Sequence, residues 1–133
     1  MPSFSAKSKQ HLASCDPDLI RLFNEVVKHF DCTVTCGFRS QVEQDEAYRT
    51  GRSQLQFPAS NHNVYPSRAV DVIPYPVDWD DIDRFLLFIG FVKGVASQMG
   101  IKVRSGIDWD DDWNIKEHRF LDYPHFELVI PHD

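Results

Sequence analysis

"DPDLIRLFNEVVKHFDCTVTCGFRS", Asp16 to Ser40, changes its hydrophobic period half-way along. Leu19, Leu22, Phe23, Val26, Val27 and Phe30 recur at steps of three and four and make one apolar stripe, so this half reads as a helix. Asp16 is its expected cap and Pro17 sits in its first turn. From Cys32 the period falls to two, and "CTVTCGF" reads as a strand with Cys32 and Cys36 on the same face.

The rest of the chain continues to mix the two periods. "SQVEQDEAYRTG" reads as a second helix, opened by a Ser40/Glu43 capping box and stopped at Gly51. "AVDVIPY" reads as a short strand that Pro74 ends. "DDIDRFLLFIGFVKGVASQMG" reads as a long helix with an acidic first turn and Gly100 just past its end. Gly90 and Gly94 are expected to let this helix pack closely on a sheet. "IKVRSG" and "HFELVI" supply two more strands. Interspersed helices and strands of this kind predict an α+β domain: a small, mainly antiparallel sheet with helices packed on one face. No repeat or low-complexity linker divides the chain, so residues 1–133 read as a single domain.

The composition, 42% hydrophobic and 26% charged, is that of an ordinary soluble protein. A net charge of −6 argues against a nucleic-acid binder, because phosphate recognition needs a basic surface. "MPSFSAKSKQHLASC" has no apolar stretch of signal-peptide length, and "FLLFIGFV" (Phe85 to Val92) is far shorter than the roughly 20 residues of a bilayer span. Synthesis and folding in a cytoplasm without membrane insertion are the expectation. The three cysteines, Cys15, Cys32 and Cys36, cannot all pair and are expected as reduced thiols. With no second cysteine pair to complete a thiolate site, Cys32 and Cys36 read as core packing rather than metal ligands.

Two separated stretches carry the chemistry. In "SNHNVYPSRAVDV", His62 stands in a polar loop, and by itself it reads as an ordinary exposed histidine. Asp71 is less ordinary: it lies between β-branched residues in a strand that wants burial, where a carboxylate is costly unless paired or bound to a cation. "DYPHFELVI" then places His125 at the head of an apolar strand, with Asp122 three residues earlier. His62, Asp71 and His125 make three nitrogen and oxygen donors, the number a catalytic zinc uses while keeping a fourth position for water. Asp122 is near enough in sequence to His125 to serve as general base and acid. Arg39, at the end of a strand and just before the Ser40 cap, could stabilise an oxyanion; the alternative for it is a surface salt bridge.

"GFRS…EQDEAYRTGRS", "SNHNVYPSRAVDVIPY", "SGIDWD" and "DYPHFEL" together resemble the zinc peptidases that comprise D-alanyl-D-alanine carboxypeptidases and dipeptidases and the phage L-alanyl-D-glutamate endopeptidases. Their pattern is Ser-x-His, a turn, Ala-x-Asp, and downstream Asp/Glu-x-x-His. It falls here on Ser60 and His62, Ala69 and Asp71, and Asp122 and His125, and the match runs from about Cys36 to Val129. The resemblance implies a hedgehog/DD-peptidase-like fold with one zinc at the strand ends, held by His62, Asp71 and His125. It implies Asp122 as the catalytic acid/base, Arg39 as oxyanion and substrate clamp, and Ser60 and Trp109 as substrate-binding residues. The chain departs from the commoner pattern by spacing His62 and Asp71 nine residues apart, with Tyr65-Pro66-Ser67 in the turn where a glycine is usual. Aspartate rather than glutamate as acid/base tilts the substrate towards an internal stem-peptide bond, L-alanyl-D-glutamate, over terminal D-Ala-D-Ala. The competing readings are a D-alanyl-D-alanine carboxypeptidase and a non-catalytic metal-binding, wall-binding module. The resemblance further implies a monomeric phage lysin that acts on the peptidoglycan stem peptide. It would wait in the host cytoplasm until a holin-type partner opens the membrane.

"DWDDDWN", Asp108 to Asn114, alternates carboxylates at Asp108, Asp110 and Asp112 like the start of a calcium loop, but Trp113 takes the place of the turn glycine and the closing glutamate is missing. A solvated acidic loop is the plainer reading. Gly106, Asp108 and Trp109 match a Gly-x-Asp-Trp element that the resembled family places at the active-site rim. Trp109 or Trp113 is therefore expected to wall the cleft, and His118 is a spare ligand.

Overall fold

Asp16 caps its helix as expected: its Oδ1 accepts from the Asp18 N–H at 2.9 Å, Pro17 opens the first turn, and the helix ends before Phe30. In the computed structural model, which describes residues 2–116 and 121–129, this is the second of four helices. In chain order the elements are α1 (Ala6–Ala13), α2 (Pro17–His29), β1 (Cys32–Cys36), α3 (Gln41–Arg49), a 3-10 turn (Asn61–Asn63), β2 (Ala69–Pro74), α4 (Ile82–Gln98), β3 (Val103–Gly106) and β4 (Asp122–Leu128). His118 lies outside the described residues.

The strands form one sheet in the order β1-β2-β4-β3, and every neighbouring pair is antiparallel. Alternation along the strands sorts the side chains. Val70, Val72, Val103 and Phe126 join the core with Leu19, Leu22, Phe23 and Val26 of α2 and Phe88, Val92 and Ala96 of α4. Phe126 stands edge-on to Phe23 at 5.4 Å and to Phe88 at 6.1 Å. Full burial of such a side chain contributes about 1.5–3 kcal/mol, so this face supplies most of the fold's cohesion. The intervening residues, Asp71 on β2, His125 and Glu127 on β4 and Arg104 on β3, point to the other face.

Three details differ from the sequence reading. Gly90 and Gly94 are exposed, and a Cβ added to either would meet nothing within 4 Å, so they lie off the apolar stripe of α4 and do not mediate close packing. The helix α1 has no counterpart in the sequence reading; Ser5 caps it, and its buried Ser8 accepts from the Val34 N–H of edge strand β1 at 3.1 Å. The period-2 argument holds for Cys32, which is buried, but fails for Cys36. The register runs Val34↔Val72 and then Cys36↔Asp71, a bulge that turns Cys36 out of the core.

Candidate metal centre

The pairing of β2 with β4 sets Asp71 directly opposite His125 on the face away from α2 and α4. His62 comes from the 3-10 turn. Ser60 caps that turn, accepting from the His62 N–H at 3.1 Å, while the Ser60 N–H donates to Asn63 Oδ1 at 3.1 Å. The turn is tied to the end of β1 by the Arg39 N–H, which donates to the His62 carbonyl at 2.8 Å.

Hydrogen bonds assign the imidazole nitrogens. His62 Nδ1 lies 2.7 Å from the Gly37 carbonyl, which can only accept, so Nδ1 carries the proton and Nε2 turns towards Asp71 Oδ1 at 3.3 Å. His125 Nε2 lies 2.7 Å from Glu127 Oε1, which leaves Nδ1 at 3.4 Å from the same Asp71 oxygen. Among the described residues, His62 Nε2 and Asp71 Oδ1 are the buried side-chain atoms without a hydrogen-bond partner. An orphaned buried polar atom costs about 1–3 kcal/mol, and two facing one point are what a cation would satisfy. A tetrahedral zinc with bonds of about 2.0–2.1 Å sets its donors roughly 3.3–3.4 Å apart, which matches the distance from Asp71 Oδ1 to each imidazole nitrogen. The donor atoms that lie mutually within 4.8 Å form two groups that share Asp71, one with Cys36 and His62 and one with Asp122 and His125.

With no cation present, burial works against a charge on His62, but the Asp71 carboxylate outweighs it, with Cys36 adding to the effect, and raises its pKa to about 10. A metal bound at Nε2 takes the place of a proton. Burial works against ionised Asp71 too, yet the charges of His62 and His125 hold it below the usual carboxylate range. Asp122, its Oδ2 4.0 Å from His125 Nδ1, is pushed up to about 6 by burial and by the negative charge of Asp71, against the pull of His125, His62 and Arg39. A carboxyl in this place is positioned to exchange a proton with a water in the cleft. The β3–β4 register, which jumps from Ser105↔Phe126 to Gly106↔Asp122, turns this side chain to the site. Gly106 permits the approach, since a Cβ on it would lie 2.2 Å from the Asp122 carbonyl oxygen and 2.9 Å from His125 Cβ.

Arg39 is not on an outer surface. Its Nη2 is 3.7 Å from Asp71 Oδ2, and its Nη1 donates to Gln44 Oε1 at 2.9 Å. Gln44 is fully buried and donates onward to the Leu55 carbonyl at 2.7 Å and Ser53 Oγ at 3.0 Å, anchoring the guanidinium and the adjoining loop together. Cys36 Sγ, brought here by the β1 bulge, is 3.8 Å from His62 Nδ1 and 3.7 Å from Arg39 Nη2. Glu127 is a site residue that the sequence reading missed. Burial opposes its charge, but His125 and Arg104 together lower its pKa to about 2. Its signal was present: a second charged residue in an apolar strand, on the same parity as His125.

These side chains line a cleft of about 1160 Å³ that α3 borders with Val42 and Glu43. The α3 helix thus stands on the cleft rather than on the core. Trp109 walls the cleft, its ring 5.2 Å from that of His125. Trp113 faces elsewhere, over Lys93 Nζ at 4.7 Å. Ser60 also borders the cleft, with its hydroxyl oxygen engaged as the cap of the His62 turn. The Tyr65-Pro66-Ser67 detour docks on the α1–α2 link instead: the Ser67 N–H donates to the Ser14 carbonyl and the Asp16 N–H to the Ser67 carbonyl, both at 2.8 Å. The extra turn length is therefore taken up outside the cleft lining.

The acidic loop is fastened rather than merely solvated. Asp108 is buried and accepts from the N–H groups of Trp113 at 2.7 Å and Asp112 at 3.3 Å. Asp111 pairs with the buried Lys93, which also donates to the Val103 carbonyl at 2.6 Å. Asp108, Asp110 and Asp112 each offer a carboxylate oxygen within 4.8 Å of the others.

A family model for the phage L-alanyl-D-glutamate peptidases matches residues 2–129. The chain is 27% identical over 134 residues to the L-alanyl-D-glutamate peptidase of Escherichia phage T5, covering 95% of this chain and 97% of that protein. It is 31% identical over 116 residues to the peptidoglycan L-alanyl-D-glutamate endopeptidase CwlK of Bacillus subtilis (strain 168), over 77% of this chain and 63% of CwlK. Among solved structures, the crystal structure of Serratia marcescens L-Ala D-Glu endopeptidase ChiX superposes with a TM-score of 0.74 at 29% identity, over 96% of this chain and 91% of that one.

Proposed function

Because the chain belongs to the phage L-alanyl-D-glutamate peptidase family, we propose that it is a zinc endopeptidase cleaving the L-alanyl-D-glutamate bond in the stem peptide of bacterial peptidoglycan. The observation that carries this reading is Asp71 Oδ1, which faces His62 Nε2 at 3.3 Å and His125 Nδ1 at 3.4 Å, with the Asp122 carboxyl beside them in an open cleft.

In this reading His62, Asp71 and His125 would hold the zinc, and the chemistry it would supply is Lewis acidity towards the scissile carbonyl and a lowered pKa for a water. Asp122 takes the proton from the attacking water and returns it to the departing amine. Arg39, aimed by Gln44, donates to the oxyanion. Trp109 packs along the substrate, and Ser60 keeps the His62 turn in place. The chain works as a single peptidase domain and as a monomer. It accumulates in the host cytoplasm and reaches the wall through lesions made by a holin-type partner; no described helix is long and apolar enough to cross a membrane.

Metal analysis of the purified protein combined with mass spectrometry of digested peptidoglycan tests the proposal. One equivalent of zinc and released peptides that begin with a free D-glutamate amine are expected. Loss of a terminal D-alanine would make it a carboxypeptidase instead. Retained zinc with every murein fragment intact would make it a binding module.

A further inference from the structure

Glu127 is 5% exposed, and its carboxylate meets side-chain donors from three directions. Oε1 accepts from His125 Nε2 at 2.7 Å. Oε2 accepts from Arg104 Nη2 at 2.6 Å, Arg104 Nε at 2.9 Å and Asn61 Nδ2 at 2.8 Å. Arg104 in turn donates from Nη1 to the Trp109 carbonyl at 3.0 Å, and Asn61 is the neighbour of His62. One buried carboxylate thus joins β4, which carries His125, to the turn that carries His62, and through Arg104 to the cleft wall at Trp109.

A histidine presents a lone pair to a metal from one nitrogen, and the partner of the other nitrogen decides which. For His62 the Gly37 carbonyl makes that choice; for His125 Glu127 takes the role. We infer that Glu127 is a positioning residue that holds the His125 proton on Nε2 and so presents Nδ1 to the metal, with Arg104 and Asn61 fixing which carboxylate oxygen faces the ring. This inference rests on the metal reading of His62, Asp71 and His125.

The arrangement makes the isosteric change revealing. In Glu127→Gln, the Arg104 fork and Asn61 offer three donors to one end of the amide, which places the amide oxygen there and turns the NH2 group towards His125. An NH2 donor requires His125 Nε2 to accept, moving the proton to Nδ1 and removing its lone pair from the site. Adding Arg104→Met removes two of the donors and lets the amide flip back.

The experiment measures zinc affinity of the full chain by chelator competition for the wild type, Glu127→Ala, Glu127→Gln and Glu127→Gln with Arg104→Met, and melts each protein in excess chelator. Both single variants are expected to bind zinc roughly 10–100-fold more weakly, the range for loss of a histidine's outer partner. Glu127→Gln should melt in chelator close to the wild type, and the double variant should recover part of the lost affinity. Wild-type affinity in Glu127→Gln, a loss of affinity matched by a collapse of its melting in chelator, or no recovery in the double variant would each overturn the positioning role. A wild-type chain that holds no zinc would overturn the metal reading as well, and is told apart because it needs no variant.

Discussion

On β2 and β4, Val70, Val72 and Phe126 face the helices, while Asp71, His125 and Glu127, their immediate neighbours in sequence, face the cleft. The first set is held by apolar burial, which has no preferred direction and tolerates substitution of similar volume. The second set and the turn beside it are held by bonds with direction: a carbonyl on His62, a carboxylate on His125, and Arg104 and Asn61 on Glu127. Burying those charges costs free energy that the helix-facing side offsets. One sheet therefore separates the work, with stability on the face that excludes water and chemistry on the face that concentrates unmet polar atoms.

The largest expected break of this comparison comes from His62→Ala. It should remove zinc and activity together, read by metal analysis and peptidoglycan digestion, while the helix-facing core stays folded by circular dichroism. Next, Asp122→Asn should keep the metal and lose about 10²–10⁴-fold in turnover; normal wall lysis by that variant would remove Asp122 from the mechanism. Phe126→Ala tests the opposite face. It should cost about 3–5 kcal/mol in denaturant unfolding, and a loss below 1 kcal/mol would mean that the core does not rest on the Phe23–Phe126–Phe88 contacts. The smallest effect belongs to Gly90→Ala. An exposed helical glycine with open space around it should gain about 0.5–1 kcal/mol on replacement, with digestion rates unchanged; destabilisation would restore the close-packing role that the structure denies it.

Helices α2 and α4 were legible because each repeats an apolar stripe long enough to show its period, and α3 because Ser40 and Glu43 form the expected capping box. The helix α1 was not, since its buried residues are Leu12 and a serine whose value lies in the strand N–H it satisfies. Gly90 and Gly94 were misassigned although the stripe of Phe85, Phe88, Ile89 and Val92 already set them on the opposite side of α4. Lys93 shows the converse: a charge on the buried side of a helix is explained by Asp111, eighteen residues later.

At the site, the sequence alone determined the donor types. Asp71 in a β-branched strand, His62 after Ser60 and His125 after Asp122 are local patterns, and a single strand or turn is enough to write them. Their convergence is a property of the tertiary structure. The Asp71↔His125 register, the bulges that turn in Cys36 and Asp122, the missing Cβ at Gly106, and the grip of Glu127 on His125, Arg104 and Asn61 decide which atoms meet. The physical reason is range. Periodicity and capping act over a few residues of chain, whereas a metal ligand and the carboxyl that orients it are chosen by contacts between segments as much as 66 residues apart.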